Sequence, residues 1–268
     1  MLRPSLAAAA ALASLSCVGT TGGELVTFHA AAAGPEDAHA GQPLEFTTDL
    51  GWDVVLTTAK LHVGAMYLDQ SMPVSGSQGT NCILPGTYVA QVTTGLDVDL
   101  LSPALQAFPS AGEGTTVPPA LVGQVWLTAG DINATDDLNP ILVIEGTATQ
   151  SGTTIPFTGK VTIGSNRLSS NTQLAGASPI CKQRIVSPIP TDVTVGTTGG
   201  LVLRIDPRFL FVNVDFSQLT KFSSTYGFSD DPASAQYTQP SRNLYNNLHS
   251  GGVLQHASLY TFTWSAGL

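Results

Sequence analysis

The chain has 268 residues, of which only 11% are charged, and its formal net charge at pH 7 is −9. This acidic balance argues against nucleic acid or anionic lipid surfaces as partners and is compatible with cations. Abundant Thr, Ser, Gly and Pro with few charges indicate a secreted all-β protein and exclude a disordered or mainly helical chain.

The first residues predict an export signal. Arg3 gives a positive start, and residues 6–15 form an apolar run of signal-peptide length, too short to span a membrane. We predict a signal peptide over 1–16, lipidation of Cys17 and a flexible tether over 17–23, because the cut leaves a cysteine with no evident partner. Alternatively, an ordinary signal peptidase cuts the same bond and the protein is released. The predicted location is the bacterial cell envelope, as an outer-membrane lipoprotein or in the periplasm, with the lipid as the sole membrane contact.

Two further cysteines, Cys82 and Cys181, remain after the leader. An even pair in an exported chain predicts a disulfide that persists in an oxidising compartment. The alternative is a pair of soft metal ligands, but neither cysteine has zinc-finger spacing around it.

Short alternating apolar and polar runs between Gly and Pro predict strands along the chain. The longest run, residues 52–68, is predicted as one strand with Leu61, Val63 and Tyr67 on one face and His62 and Met66 on the other. Further strands are predicted at residues 24–30, 86–101, 121–132 and 259–264.

The clearest hairpin spans residues 141–163, with Ser151-Gly152 at its turn. Helix is scarce: Asp206-Pro207 predicts a short helix or turn, and residues 241–249 predict another helix. A long polar surface loop is predicted near 221–241. No linker divides the chain, so we predict a single Greek-key-like β-sandwich domain over 24–268.

The order of segments resembles a known family. VVLTTAKLHVGAMYL is followed by LPGTYVAQVTTGLDVDL, the hairpin ending PFTGKVTIGSN, and GGLVLRIDPRFLF. This order is similar to that of the MbnP-like periplasmic β-sandwich family associated with methanobactin operons. That resemblance implies copper handling and a di-haem partner protein in the envelope. The patterns GWDVVLTTAKLHVG, PGTYVAQ and CKQRI also resemble those of myxobacterial-type lipoproteins, a likeness that implies no activity.

The segment HAAAAGPEDAHAG is the first candidate metal site. It carries His29, Glu36, Asp37 and His39 in one strand and loop, which could fold back to bring them together. Imidazole with carboxylate suits divalent copper or zinc. The alternative is a solvated acidic loop with two incidental histidines.

His62 is a further candidate ligand. On an extended strand His62 and Met66 stand about 13 Å apart, too far to share one ion unless the strand bulges at Gly64. His62 could still bind a metal with partners from elsewhere. The alternative is a partly buried histidine and a core methionine.

The sequence contains no G-x-S-x-G, H-E-x-x-H or glycine-rich phosphate-loop motif, so no catalytic residue is predicted. We predict a lipid-anchored binding protein whose leading ligand is copper or another transition metal, with a metal ion or envelope protein as partner. The alternative is a structural or adhesive module that binds glycan or protein. Such a module needs exposed aromatic side chains, for which the candidates are Tyr226, Phe228, Tyr237 and Tyr245.

Overall fold

The computed structural model describes residues 22–71, 87–134, 138–163, 184–250 and 258–268. The predicted leader, Cys17, Cys82 and Cys181 therefore lie outside the described residues. No helix within the described ranges is long and apolar enough to cross a membrane.

The described residues are nearly all in strands and their connections, as predicted. The elements in chain order are β1 (Leu25–Ala33), β2 (Leu44–Thr47), β3 (Asp53–Val63), β4 (Ala65–Asp69), β5 (Tyr88–Val92), β6 (Leu96–Asp99), β7 (Gln106–Ala107), β8 (Gly112–Thr115), β9 (Ala120–Trp126), β10 (Leu142–Gln150), β11 (Thr153–Val161), β12 (Ile185–Val193), β13 (Gly200–Ile205), two short 3-10 helices (Pro207–Phe211 and Phe216–Gln218), β14 (Thr220–Phe222), β15 (Thr225–Ser229), α1 (Gln239–His249) and β16 (Tyr260–Ser265).

The strands form two mixed sheets. The large sheet has nine strands in the order β12-β9-β4-β5-β8-β1-β13-β16, with β7 beside β1. Its two ends approach one another, since the Thr191 hydroxyl on β12 donates to the Phe262 carbonyl on β16 at 3.5 Å, so this sheet is nearly a barrel. The small sheet has seven strands in the order β14-β15-β11-β10-β3-β2, with β6 beside β3. The pairs β1–β13 and β11–β15 are parallel.

The main core lies between the sheets and includes a cluster of phenylalanine rings. Phe157, Phe211, Phe216 and Phe228 have ring centroids 5.1–6.3 Å apart. Two of these rings belong to the 3-10 helices. The first of those helices begins as the sequence predicts, because the Asp206 side chain accepts a hydrogen bond from the Arg208 amide.

The prediction of one strand over residues 52–68 is wrong. The chain passes from the small sheet to the large sheet at Gly64, whose amide donates to the Trp126 carbonyl at 2.8 Å. A side chain at this residue would collide with Thr128. Leu61 and Met66 are both buried in the main core, the first before the crossing and the second after it. The residues that face the core therefore change from odd to even positions at Gly64. For this reason the prediction that Leu61 and Met66 lie on opposite faces is wrong.

The predicted loop near 221–241 is also partly wrong. It contains β14 and β15, and β15 joins the small sheet as a parallel neighbour of β11. The hairpin prediction is confirmed, with positive φ at Ser151 (51°) and Gly152 (78°) in the β10–β11 turn. The predicted second helix is confirmed as α1.

Candidate ligand-binding groove

Polar side chains cross the outer face of the small sheet where β10, β11 and β15 lie side by side. Glu145, Thr158 and Gly227 are register partners in one row, and Lys160 and Ser229 are partners in the next. Strand alternation turns the neighbouring apolar residues into the core and leaves this face polar. The rows therefore place hydroxyl, carboxylate and ammonium groups about one strand spacing apart.

A groove of about 340 Å³ follows these rows, and we call it the β11–β15 groove. Strand residues of β10, β11 and β15 line it together with Asp230 and Gln236, which follow β15. A Cβ atom on Gly227 would collide with the Gln236 side chain. The absence of a side chain at Gly227 thus lets the Gln236 amide lie against the sheet as one wall of the groove.

Asp230 is one of the residues that line this groove, and it is only 5% exposed. Its Oδ2 accepts hydrogen bonds from the Thr162 amide at 2.9 Å and from the Thr162 hydroxyl at 2.8 Å. Desolvation raises the pKa of Asp230, although the bonds from Thr162 oppose that rise. A buried carboxylate with a raised pKa beside a groove is a feature of ligand-binding sites.

The mouth of the groove carries charges of both signs. Lys160 and Glu145 are exposed on neighbouring strands, and the Glu145 carboxylate accepts a hydrogen bond from the Thr58 hydroxyl at 3.4 Å. No ion pair of Lys160 occurs within the described ranges. The groove therefore combines donors and acceptors without a dominant charge, which suits a ligand that both donates and accepts hydrogen bonds.

The predicted metal residues His29, Glu36, Asp37 and His39 are all exposed. The Arg208 guanidinium donates to both Asp37 oxygens, at 2.8 and 3.1 Å, and this contact lowers the pKa of Asp37. Arg204 stands 3.6 Å from the Glu36 carboxylate. Both carboxylates thus face a guanidinium, which would compete with a metal ion for the same oxygens.

Among the residues that the structure describes, no three His, Cys, Asp or Glu side chains form a group that could hold a metal ion. His29 lies on β1 opposite Gly200, whereas Glu36, Asp37 and His39 lie in the loop that follows the strand. The segment therefore does not bring its two histidines and two carboxylates together as one site.

His62 has both ring nitrogens engaged. Nδ1 lies 2.6 Å from Asp97 Oδ1 on β6, and Nε2 lies 2.9 Å from the Gly130 carbonyl oxygen. Met66 is fully buried in the main core. Metal binding by His62 would require one of these two contacts to break, and the two residues are a partly buried histidine and a core methionine.

Two of the four candidate residues for an aromatic platform are buried, and the other two are partly exposed. Phe228 and Tyr245 are each only 4% exposed and belong to the core. Tyr226 and Tyr237 are half-buried and lie beside basic side chains, with Lys221 and Arg242 at 5.8 and 5.3 Å from the ring centroids.

The sequence reasoning missed Lys160 and Asp230, which lie in different elements joined by a parallel pairing of β11 with β15. Such a pairing between distant segments leaves no local signal in one sequence. The local signal for an acidic site in this segment is the pair Asp230-Asp231, which follows the residues STYGFS.

The fold and groove define the chain as an all-β, two-sheet protein with a polar surface groove. No protein-family model matches the chain, and no curated protein matches it. Among solved structures the chain is similar to MbnP from Methylosinus trichosporium, with a TM-score of 0.39 and 12% identity over 91% of this chain and 99% of that chain. This is a weak structural relation.

Proposed function

We propose that this protein is a binding protein of the cell envelope that holds a hydroxyl-rich ligand, such as a neutral oligosaccharide, in the β11–β15 groove. The observation that carries the proposal is the convergence of Lys160, Glu145 and the buried Asp230 carboxylate with amide and hydroxyl groups on one groove. The role is capture, without a chemical step. The location rests on the predicted export signal, with the protein either lipidated at Cys17 or released.

The chemistry of the groove favours a sugar over a transition metal. Its side-chain donors and acceptors are oxygen atoms, one amide and one ammonium, whereas copper and zinc prefer imidazole and thiolate ligands. Sugar hydroxyls donate and accept at once, so they can pair with carboxylate and ammonium groups on neighbouring strands. Because the groove lies on paired strands, its polar groups are held in place before a ligand arrives.

The proposal is tested by calorimetric titration of the mature chain with maltoheptaose, cellohexaose and chitohexaose. We expect at least one of these oligosaccharides to bind, and Lys160→Met and Asp230→Asn each to weaken that binding by about tenfold, as the loss of one charged hydrogen bond does. Lys221→Met is the matched control, because Lys221 lies on β14 outside the groove lining. Equal affinity in all four proteins, or no heat with any of the sugars, would contradict the proposal.

Copper stays a predicted alternative ligand at His29 and His39. Its support is that His39 lies close enough to Asp37 to contribute to the lowering of the Asp37 pKa, so one imidazole and one carboxylate are neighbours. Titration with Cu²⁺ of the wild-type chain and of the His29→Ala/His39→Ala double variant separates this alternative from the sugar proposal. Copper binding that the double variant loses would locate a metal site, and it would leave the groove test unaffected.

A further inference from the structure

A second polar group lies on the large sheet, on the face turned away from the main core. Strand pairing places Tyr67 beside Gln124, while Asp69 follows on β4 and Trp126 on β9. We call these four residues the Asp69 cluster. Tyr67 and Trp126 belong to a small apolar cluster separate from the main core. Asp69 and Gln124 are both fully buried.

The Gln124 amide fixes the geometry of this cluster. Its Nε2 donates to Asp69 Oδ2 at 2.6 Å, and its Oε1 accepts from the Trp126 indole at 3.2 Å. The other carboxylate oxygen, Asp69 Oδ1, is buried and has no hydrogen-bond partner within the described part of the chain. The second N–H group of the Gln124 amide does not reach Oδ1 either, because the structure gives this oxygen no hydrogen bond from any described residue. One carboxylate oxygen is therefore left without a donor from the described residues, which is costly for a buried charged group.

A second buried polar atom without a partner lies on another strand of the large sheet. The Ser187 hydroxyl on β12 is buried and has no hydrogen-bond partner among the residues that the structure describes. It stands at an irregularity in the β12–β9 pairing between Val186 and Ile189. Ser187 is two residues beyond Ile185, which faces the same small apolar cluster. Asp69 and Ser187 thus offer an acceptor and a hydroxyl on strands that flank β9.

Aromatic rings lie on the same face of the sheet as the carboxylate, since Tyr67 is two residues before Asp69 on β4. The Tyr67 ring centroid lies 5.5 Å from that of Trp126 and 5.3 Å from that of Tyr88. Aromatic faces attract cations within about 6 Å of the ring centroid. Within the described ranges no lysine, arginine or histidine pairs with Asp69, whose pKa is raised to about 6 mainly by desolvation. At neutral pH the carboxylate is therefore ionised, and none of the described residues supplies a counter-ion.

From this geometry we infer that the Asp69 cluster binds a small ammonium ion, with an N–H group donating to Asp69 Oδ1 and the positive charge lying against Tyr67 and Trp126. The ligand must be compact, because every member of the cluster is less than a tenth exposed. It must also carry an N–H donor, because the unsatisfied atom is a hydrogen-bond acceptor. A methylammonium ion, or the ammonium end of a longer amine, meets both conditions. The site is independent of the β11–β15 groove, which lies on the other sheet.

The test compares three salts at equal ionic strength by differential scanning calorimetry of the mature chain at pH 8. Methylammonium chloride is the probe, sodium chloride controls for ionic strength, and tetramethylammonium chloride supplies a cation without an N–H donor. We expect methylammonium to raise the Tm by a few degrees above sodium, as binding to the native state alone requires, roughly 2–5 °C at a concentration well above Kd. Tetramethylammonium should give a smaller rise or none.

Variants then locate the site. Asp69→Asn should abolish the methylammonium-specific rise, while Asp53→Asn, which removes an equal charge from an exposed residue of β3, should retain it. Tyr67→Leu should weaken methylammonium binding several-fold by removing one aromatic face, and it keeps the test open if Asp69→Asn proves hard to purify. An equal rise in Asp69→Asn, an equal rise with tetramethylammonium, or no rise in the wild type would overturn the inference.

Discussion

The buried carboxylate of Asp69 makes the stability of the fold depend on pH in a direction opposite to that of most acidic residues. Burial raises its pKa from 3.8 to about 6, and the bond from Gln124 reduces that rise only in part. Below pH 4 the group is protonated in both the native and unfolded states and costs nothing. Between pH 4 and pH 6 the unfolded chain releases a proton that the native chain keeps, so stability falls as the pH rises. Above pH 6 the full cost is present.

The size of this effect follows from the shift. One pKa unit corresponds to about 1.4 kcal/mol, so a shift of about two units destabilises the native state by roughly 3 kcal/mol at pH 7 and above. Asp69→Asn has the same shape and carries no charge at any pH. Its carbonyl can still accept from Gln124. We therefore expect the variant to match the wild type at pH 4 and to be more stable by up to about 3 kcal/mol at pH 8.

Urea denaturation at several pH values measures the free energy of unfolding of both proteins. We subtract the free energy of unfolding of the wild type from that of the variant at each pH. The contributions of all other titrating groups cancel, because both proteins share them. The difference should grow between pH 4 and pH 6 and then level off. A difference that does not change with pH would refute the reasoning, because it would mean that the native and unfolded states hold the Asp69 proton equally. The experiment is done in sodium salts, since a bound ammonium ion would oppose the effect.

Three further changes test the fold in other places, each by its urea midpoint. Gly64→Ala should cost about 1–3 kcal/mol, because the added methyl group collides with Thr128 at the crossing between sheets; an unchanged midpoint would show that the crossing can relax. Arg208→Lys should cost about 1–2 kcal/mol at pH 7, because lysine cannot keep the guanidinium hydrogen bonds to both the exposed Asp37 and the half-buried Asp206. The part of that loss that comes from Asp37 should disappear as the pH falls through the lowered pKa of Asp37, and a loss that does not change with pH would assign it to the Asp206 contacts and to packing. Phe157→Leu should cost about 1–3 kcal/mol with an unchanged m-value, because the ring packs against three others; a neutral result would mean that the aromatic cluster repacks freely.

Local patterns in the sequence predicted the elements whose contacts are local. In the β10–β11 hairpin, β11 alternates between buried and exposed residues, and the Ser151-Gly152 turn has positive φ at both residues. The first 3-10 helix has an N-cap at Asp206, and α1 has Pro240 in its first turn and was predicted within two residues at its start. In each case the residues that decide the structure lie within a few positions of one another, so one sequence is sufficient.

The features that the sequence did not predict depend on contacts between segments far apart in the chain. Alternation continues through Gly64 without a visible break, yet the chain changes sheets there because of Trp126 and Thr128, which lie about sixty residues further on. The parallel pairing of β11 with β15 likewise depends on segments far apart in the chain. Asp69 directly follows the predicted strand of residues 52–68, and its burial depends on elements that the strand itself does not specify.

The two proposed sites are consistent with the charge of the whole chain. A net charge of −9 repels anions at long range and raises the local concentration of cations. Arg204 and Arg208 are already turned toward Glu36 and Asp37, so these guanidinium groups are not arranged to bind an external anion. Lys160 stands beside Glu145 and Asp230 in its groove, which favours a neutral ligand with hydroxyl groups. Asp69 faces aromatic rings without a basic partner among the described residues, and that arrangement favours a cation. The negative potential at both sites would repel a phosphorylated or sulfated ligand. The same potential permits the binding of a neutral sugar and favours the binding of an ammonium ion.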